Sequence, residues 1–203
     1  MTVDRRSTYH HGNLKEALIE AGVRLLAQEG SATLSLRGVA REAHVSHNAP
    51  YAHFADKEEL LSAIAEEGFL ELAAAMDQVL ANTAAGTVEQ VRDLGMVYVQ
   101  FAVTHPQHYQ LMFADLALTI HGTLSDTAYG TFARLQQAIA AAQQEQQMTS
   151  GDPKLLAMSV WTTVHGLATL VIKGRTASMT GDMGDVELTE ILLDQLFNGL
   201  AAN

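Results

Sequence analysis

Apolar residues in this chain recur at intervals of three and four almost from end to end, and that spacing restricts it to helices. Leu14, Ala17, Leu18, Ala21 and Leu25 share one helical face. No segment alternates apolar and polar residues as a half-buried strand does. The expected helices run over about 11–29, 36–43, 47–53, 56–80, 88–104, 106–114, 125–147, 154–173 and 186–200. Local signals punctuate them. Gly30 stops the first, and Thr33 or Ser35 can cap the second. Ser46 is positioned to cap the third, and Asp56 the fourth, with Glu58 and Glu59 in its first turn. His105-Pro106 separates two helices, Ser150 to Pro153 is a break, and Gly174 to Gly184 is expected as a loop. The expected fold class is all-α.

Composition removes several chemistries. With no cysteine there is no disulfide scaffold, thiolate zinc site, iron–sulfur cluster or cysteine nucleophile. A Gly-rich phosphate loop, a nucleophile elbow and an HExxH helix are all absent, so an enzyme is not expected. His105 and His108 could share a face, but no carboxylate stands at helical spacing from them, so neither a metal nor another cofactor is expected. No run approaches eighteen consecutive apolar residues, which argues against a membrane helix. The N-terminus has Arg5 and Arg6 but no apolar segment behind them, unlike a secretory signal. A soluble cytoplasmic protein is expected.

Charge divides the chain. The formal net charge is −11. Residues 1–55 hold six basic and five acidic residues, a net of +1, with five histidines besides. Residues 56–203 hold six basic and eighteen acidic residues, a net of −12. The two parts are therefore suited to different partners.

The stretch from Ser35 to Leu60 reads as two short helices joined by a tight turn at His44-Val45-Ser46, the helix-turn-helix plan. Leu36, Val39, Ala40 and Val45 brace the second helix. Its outward residues are small or hydrogen-bonding: His47, Asn48 and Ala49. Asparagine can bond an adenine edge bidentately, and alanine can touch a thymine methyl. Tyr51 and His53 can reach phosphates, and Lys57 adds a cation beside the backbone.

The pattern Leu36-x-x-Val39-Ala40, Ala43, Val45-Ser46, then Tyr51-x-His53-Phe54-x-x-Lys57-x-x-Leu60-Leu61, resembles the DNA-binding domain of the TetR family of bacterial transcriptional regulators. Tyr9-His10-His11-Gly12-Asn13-Leu14 resembles an opening common in one branch. The resemblance implies a three-helix DNA-binding domain at 1–55, with 1–10 as an arm, and a ligand-binding and dimerisation domain at 56–203. It implies Ser46, Tyr51, His53 and Lys57 as phosphate contacts and His47, Asn48 and Ala49 as base readers on double-stranded DNA. Ser35 and Arg37, at the start of the first short helix, join that DNA-binding set. His44 departs from the family, where glycine is usual because the turn favours a left-handed backbone. Arg5-Arg6 is either an arm reaching a minor groove or a plain leader.

Further along, Trp161-x-x-x-His165-Gly166-Leu167-Ala168 resembles a Trp–His–Gly element of one TetR subgroup. His105-Pro106-x-x-Tyr109-x-Leu111-Met112-Phe113 resembles that subgroup's sixth helix. The last two helices are apolar on several sides, so they are buried on several sides, either against a second copy or inside a monomer. The family's habit implies a homodimer through them and a small-molecule effector. Aromatic and methionine side chains that could line its cavity are Phe69, Met76, Phe101, Tyr109, Met112 and Phe113, with Leu116 and Trp161. Core packing is the other role open to each. His165, one turn after Trp161, either offers a polar group to the cavity or is a satisfied buried histidine. The function expected is a repressor released from an inverted-repeat operator by its effector. The alternative is a ligand-binding or scaffold dimer that does not use its helix-turn-helix.

Overall fold

The computed structural model describes residues 14–114, 123–181 and 183–199. Its helices are α1 (Leu14–Glu29), α2 (Leu36–Glu42), α3 (Lys57–Asn82), α4 (Val88–Thr104), α5 (Pro106–Met112), α6 (Thr123–Gln144), α7 (Pro153–Ile172), α8 (Ala177–Thr180) and α9 (Asp185–Asn198). A short 3₁₀ turn, Ala49–Ala52, stands between α2 and α3. No strand occurs among the described residues. The arm with Arg5 and Arg6, and the cavity candidate Leu116, lie outside them.

Capping fixes most boundaries. Ser35 Oγ accepts from the Gly38 N–H and starts α2. The Asp56 carboxylate accepts from the Glu59 N–H at 2.9 Å, while Glu59 reaches back to accept from the Ala55 N–H. These reciprocal bonds satisfy donors that the first turn of α3 leaves without helical partners. Thr87 caps α4 and Asp152 caps α7. At the α3–α4 corner the buried Gln90 amide donates to the Leu80 and Thr83 carbonyls, covering the open end of α3.

Two apolar cores result. The first gathers Leu18, Leu25, Leu36, Val39, Phe54 and Ile64 from α1, α2, the 3₁₀ turn's exit and the start of α3. The second lies among α3, α4, α6, α7 and α9, with Leu72, Leu94, Ile139, Val164 and Leu193 at its centre. α3 is 26 residues long and contributes to both. α5 also connects them, since Leu111 packs against each. α5 sits so close to α3 that a Cβ on Gly68 would meet Met112 Sδ at 2.7 Å and His108 Cβ at 2.9 Å.

Two expectations need correction. The third helix is a four-residue 3₁₀ turn rather than an α-helix over 47–53, and Ser46 makes no side-chain cap. In a helix starting at His47, the residue at 50 would donate the first helical bond to the Ser46 carbonyl, and Pro50 has no N–H to make it. The segment 174–184 contains α8, whose four residues are too few to show an apolar face. By length and composition alone α7 is apolar enough to cross a membrane, with a mean hydropathy of 1.7 over its apolar window, a property that core helices share. Ser159, Thr162, Thr163, His165 and Gly166 interrupt its apolar run. In the fold, Val160, Val164, Leu167 and Ala168 of α7 pack into the second core.

Candidate DNA-binding surface and effector cavity

The turn after α2 is built by backbone hydrogen bonds. The Val45 N–H donates to the Ala40 carbonyl at 2.9 Å and the His44 N–H to the Arg41 carbonyl at 3.1 Å. That pair of bonds is a Schellman motif, which needs a left-handed residue just beyond the helix. His44 occupies that position with φ +57°. The turn therefore forms as the sequence predicts, with histidine doing what glycine usually does.

The chain then runs into the 3₁₀ turn. Pro50 and Phe54 are buried and anchor it, Phe54 at 1% exposure in the first core. Around these anchors the polar side chains face outward. Ser46, His47 and Asn48 are exposed, Tyr51 is 51% exposed, and Ala49 and His53 are half-buried. Arg37 is exposed on the first turn of α2. Lys57 is half-buried, with its ammonium 3.4 Å from the Ala32 carbonyl. Ser35 spends its hydroxyl on the α2 cap. All nine sequence-derived DNA candidates thus fall between the start of α2 and the start of α3. Arg24, by contrast, is held against Glu42 at 2.9 Å and ties α1 to α2.

The second core encloses a cavity of about 410 Å³ between α3, α4, α6 and α7. Of the sequence-derived candidates, Phe69, Met76, Phe113 and Trp161 line it. Phe101, Tyr109 and Met112 are buried in the core and are not part of the wall, and neither is His165. The sequence reading missed Tyr98, Tyr129, Phe132, Lys154 and Met158, which do line it. They come from three separate helices, and no local spacing gathers them. Tyr129, Lys154 and Met158 are exposed and mark the mouth, whereas Leu72, Leu94 and Val164 close the deep end.

His165 stands behind the wall in a cluster of rings. Phe113, Trp161 and Tyr109 lie with centroids 4.6, 5.1 and 5.5 Å from it. The hydroxyls of Tyr98 and Tyr109 both stand 2.9 Å from Nδ1. One ring nitrogen accepts one strong bond, and the Tyr109 hydroxyl also reaches the His165 carbonyl at 3.2 Å. The arrangement suits a neutral ring with its proton on Nε2. Burial favours that form, because desolvation holds the His165 pKa below its ordinary value. Burial likewise pushes the Tyr98 and Tyr109 hydroxyls up, so both stay protonated donors.

On the far side of α5, His108 Nε2 lies 3.3 Å from Glu67 and His105 Nε2 lies 3.8 Å from Glu71. These carboxylates come from α3, so spacing along the sequence could not find them. Among the described residues no group of three or more histidines and carboxylates is placed to hold a metal.

The fold and the surface together define a two-core helical protein that presents a helix-turn-helix at one end and an apolar cavity at the other. Comparison with known proteins places it. Residues 18–64 match the bacterial regulatory proteins of the tetR family, and residues 91–196 match the tetracyclin repressor-like C-terminal domain. The chain belongs to the TetR family. A protein of unknown function from Rhodococcus sp. RHA1 is 30% identical, with 97% of this chain and all of that one covered and a TM-score of 0.82. An HTH-type transcriptional regulator of Mycobacterium tuberculosis is 27% identical over 116 residues, 57% of this chain. The match spans half of that relative's length. The transcriptional regulator FadR of Bacillus subtilis, solved with stearoyl-CoA, shares the fold at 17% identity, 92% and 99% coverage and a TM-score of 0.74.

Proposed function

We propose that this chain is a DNA-binding transcriptional regulator, a homodimer that reads an inverted repeat in double-stranded DNA and is released by a small-molecule effector. One observation carries the reading. Between the buried anchors Pro50 and Phe54 and the left-handed turn at His44, the chain turns His47, Asn48 and Tyr51 outward on a rigid support. A segment serving only as structure has no need of that orientation. Ser46, Tyr51, His53 and Lys57 take phosphates and set the register. His47, Asn48 and Ala49 meet base edges in the major groove. Arg37 and Ser35 approach the backbone from α2. Residues 1–55 are the DNA-binding unit and 56–203 the regulatory unit, with α3 leading from one into the other.

The dimer follows from α7. Only 28% of its apolar window is buried within one chain. Leu155, Ser159, Thr162, Gly166 and Leu170 form an exposed stripe at helical spacing. Small residues in its middle let two helices approach closely, and a Cβ on Gly166 would meet only open space. Val186 is exposed on α9, where partly covered Leu192 and Leu196 also lie. A second copy covers this surface better than a membrane does, because the stripe is half polar. Twofold symmetry then sets two recognition segments about 34–36 Å apart, one helical turn of DNA. The effector enters the α3–α4–α6–α7 cavity and releases DNA through its preference for one spacing of the two segments. The protein needs no cofactor and performs no catalysis, and its DNA partner puts it in the cytoplasm.

A second reading, a scaffold or ligand-binding dimer with an idle helix-turn-helix, draws on the net charge of −11, which repels DNA at long range. Selection from a random duplex library separates the two. The regulator reading expects an inverted repeat to emerge, and expects Asn48→Ala to relax one base position per half-site while Tyr51→Ala weakens binding to all sequences alike. A library that yields no enriched sequence refutes it.

A further inference from the structure

The cavity between α3, α4, α6 and α7 is almost wholly apolar among the described residues, where its one charged wall residue is Lys154 at the mouth. No carboxylate lines it among those residues. The Lys154 ammonium has no hydrogen bond or ion pair among the described residues, although its backbone N–H serves the Asp152 cap. The other cation on the neighbouring helix, Arg134 of α6, is committed to both oxygens of Asp77 at 2.7 and 2.8 Å. The polar groups of the wall are largely occupied. Tyr98 is bonded to His165, and the Thr131 hydroxyl donates to the Ala128 carbonyl. What the described residues leave for a ligand is apolar surface at depth and a single free positive charge at the entrance, where Tyr129 also lines the cavity.

Size and charge then limit the ligand. At about 30 Å³ for a water-sized group, 410 Å³ admits on the order of a dozen heavy atoms. Burying an anion in the apolar depth is costly, whereas an anion at the mouth can stay hydrated and meet Lys154. A ligand carrying several phosphates would need several cations around the opening, and residues 56–203 have a net charge of −12. We propose that the cavity takes an apolar molecule of about a dozen heavy atoms ending in one free carboxylate, its head on Lys154 and its body against Trp161. The same charge balance disfavours a coenzyme A thioester. This rests on the cavity being the effector site of the regulator proposed above.

Trp161 is the only tryptophan in the chain and lies in the cavity wall, so intrinsic fluorescence of the intact protein reads binding directly. The probes are decanoate, decanol, decylammonium and decanoyl-coenzyme A, each below its aggregation concentration. Decanoate is expected to give a saturable change in Trp161 emission and to bind about tenfold more tightly than decanol, the size of one partly hydrated charge-assisted contact. Decylammonium and decanoyl-coenzyme A are expected to bind at least tenfold more weakly than decanoate. Lys154→Gln, an exposed change whose unaltered melting point verifies folding, should erase the advantage of decanoate over decanol. The proposal is overturned if the thioester binds as tightly as the acid, if Lys154→Gln leaves decanoate binding intact, or if no probe alters Trp161 emission. Anisotropy with ligand-free protein and the selected DNA tests the regulator reading separately, so either can fail while the other stands.

Discussion

At the residue scale, much of this molecule turns on positions where a few atoms decide the outcome. Gly68 is one. Alanine there gains up to about 1 kcal/mol of helix propensity. Its methyl would press on Met112 and on the His108 Cβ, an overpacking cost of about 1–3 kcal/mol. The His108 Cβ belongs to the helix stem and cannot rotate away, so the cost wins. Gly68→Ala should lower the denaturant midpoint, and a raised midpoint would show that α5 can move off α3 freely. His165 gives a pH prediction. Its pKa is lowered in the folded state, so the folded protein binds fewer protons than the unfolded chain below about pH 6.5. Its contribution is present above that value and is lost as the pH falls. The drop in melting temperature between pH 7.5 and 5.5 should therefore be smaller in His165→Gln than in the parent. An equal drop would mean the ring titrates as if solvated.

At the element scale, the sequence was legible at most boundaries that depend on local chemistry. Ser35 and Asp56 cap helices at their start as expected, whereas Ser46 does not, and His105-Pro106 separates α4 from α5. The turn after α2 was legible for the same reason, down to the left-handed His44. What could not be read was geometry assembled across elements. Lys154 and Tyr129 line one cavity from different helices, and Glu67 meets His108 only because α5 folds back on α3. The 3₁₀ form of the 49–52 segment was also hidden, since a proline in the first turn usually permits an α-helix. His44 supports a prediction here. A left-handed non-glycine residue costs about 1–2 kcal/mol, and glycine costs about 0.5–1 kcal/mol in unfolded-state entropy. His44→Gly should thus raise stability by about 0.5–1 kcal/mol in chemical denaturation. Loss of stability instead would mean that the imidazole makes a contact worth more than the strain.

At the scale of the whole molecule, the proposed dimer would join two acidic regulatory units and two weakly basic DNA-binding units. In that proposal the opposing charges do not prevent DNA binding, because phosphate contacts are short-ranged at physiological salt, where screening operates over about 8 Å. The proposal also has the α7 stripe hold the pair together. Gly166→Arg places a long cation into space that is open within one chain, so the fold should persist while the dimer dissociates toward the 21.9 kDa monomer in sedimentation velocity. An unchanged dimer would put the interface elsewhere. The central claim is sequence-specific DNA binding by the surface from Ser35 to Lys57. Its most direct measurement is fluorescence anisotropy of the full chain on the selected inverted repeat, across a salt series and with random-sequence competitor. Arg37 and Lys57 of both protomers on phosphates predict that log affinity falls against log salt with a slope of roughly −4. The account predicts binding that resists competitor and is weakened in Tyr51→Ala. Equal affinity for random DNA, with the parent and Tyr51→Ala indistinguishable, would contradict it.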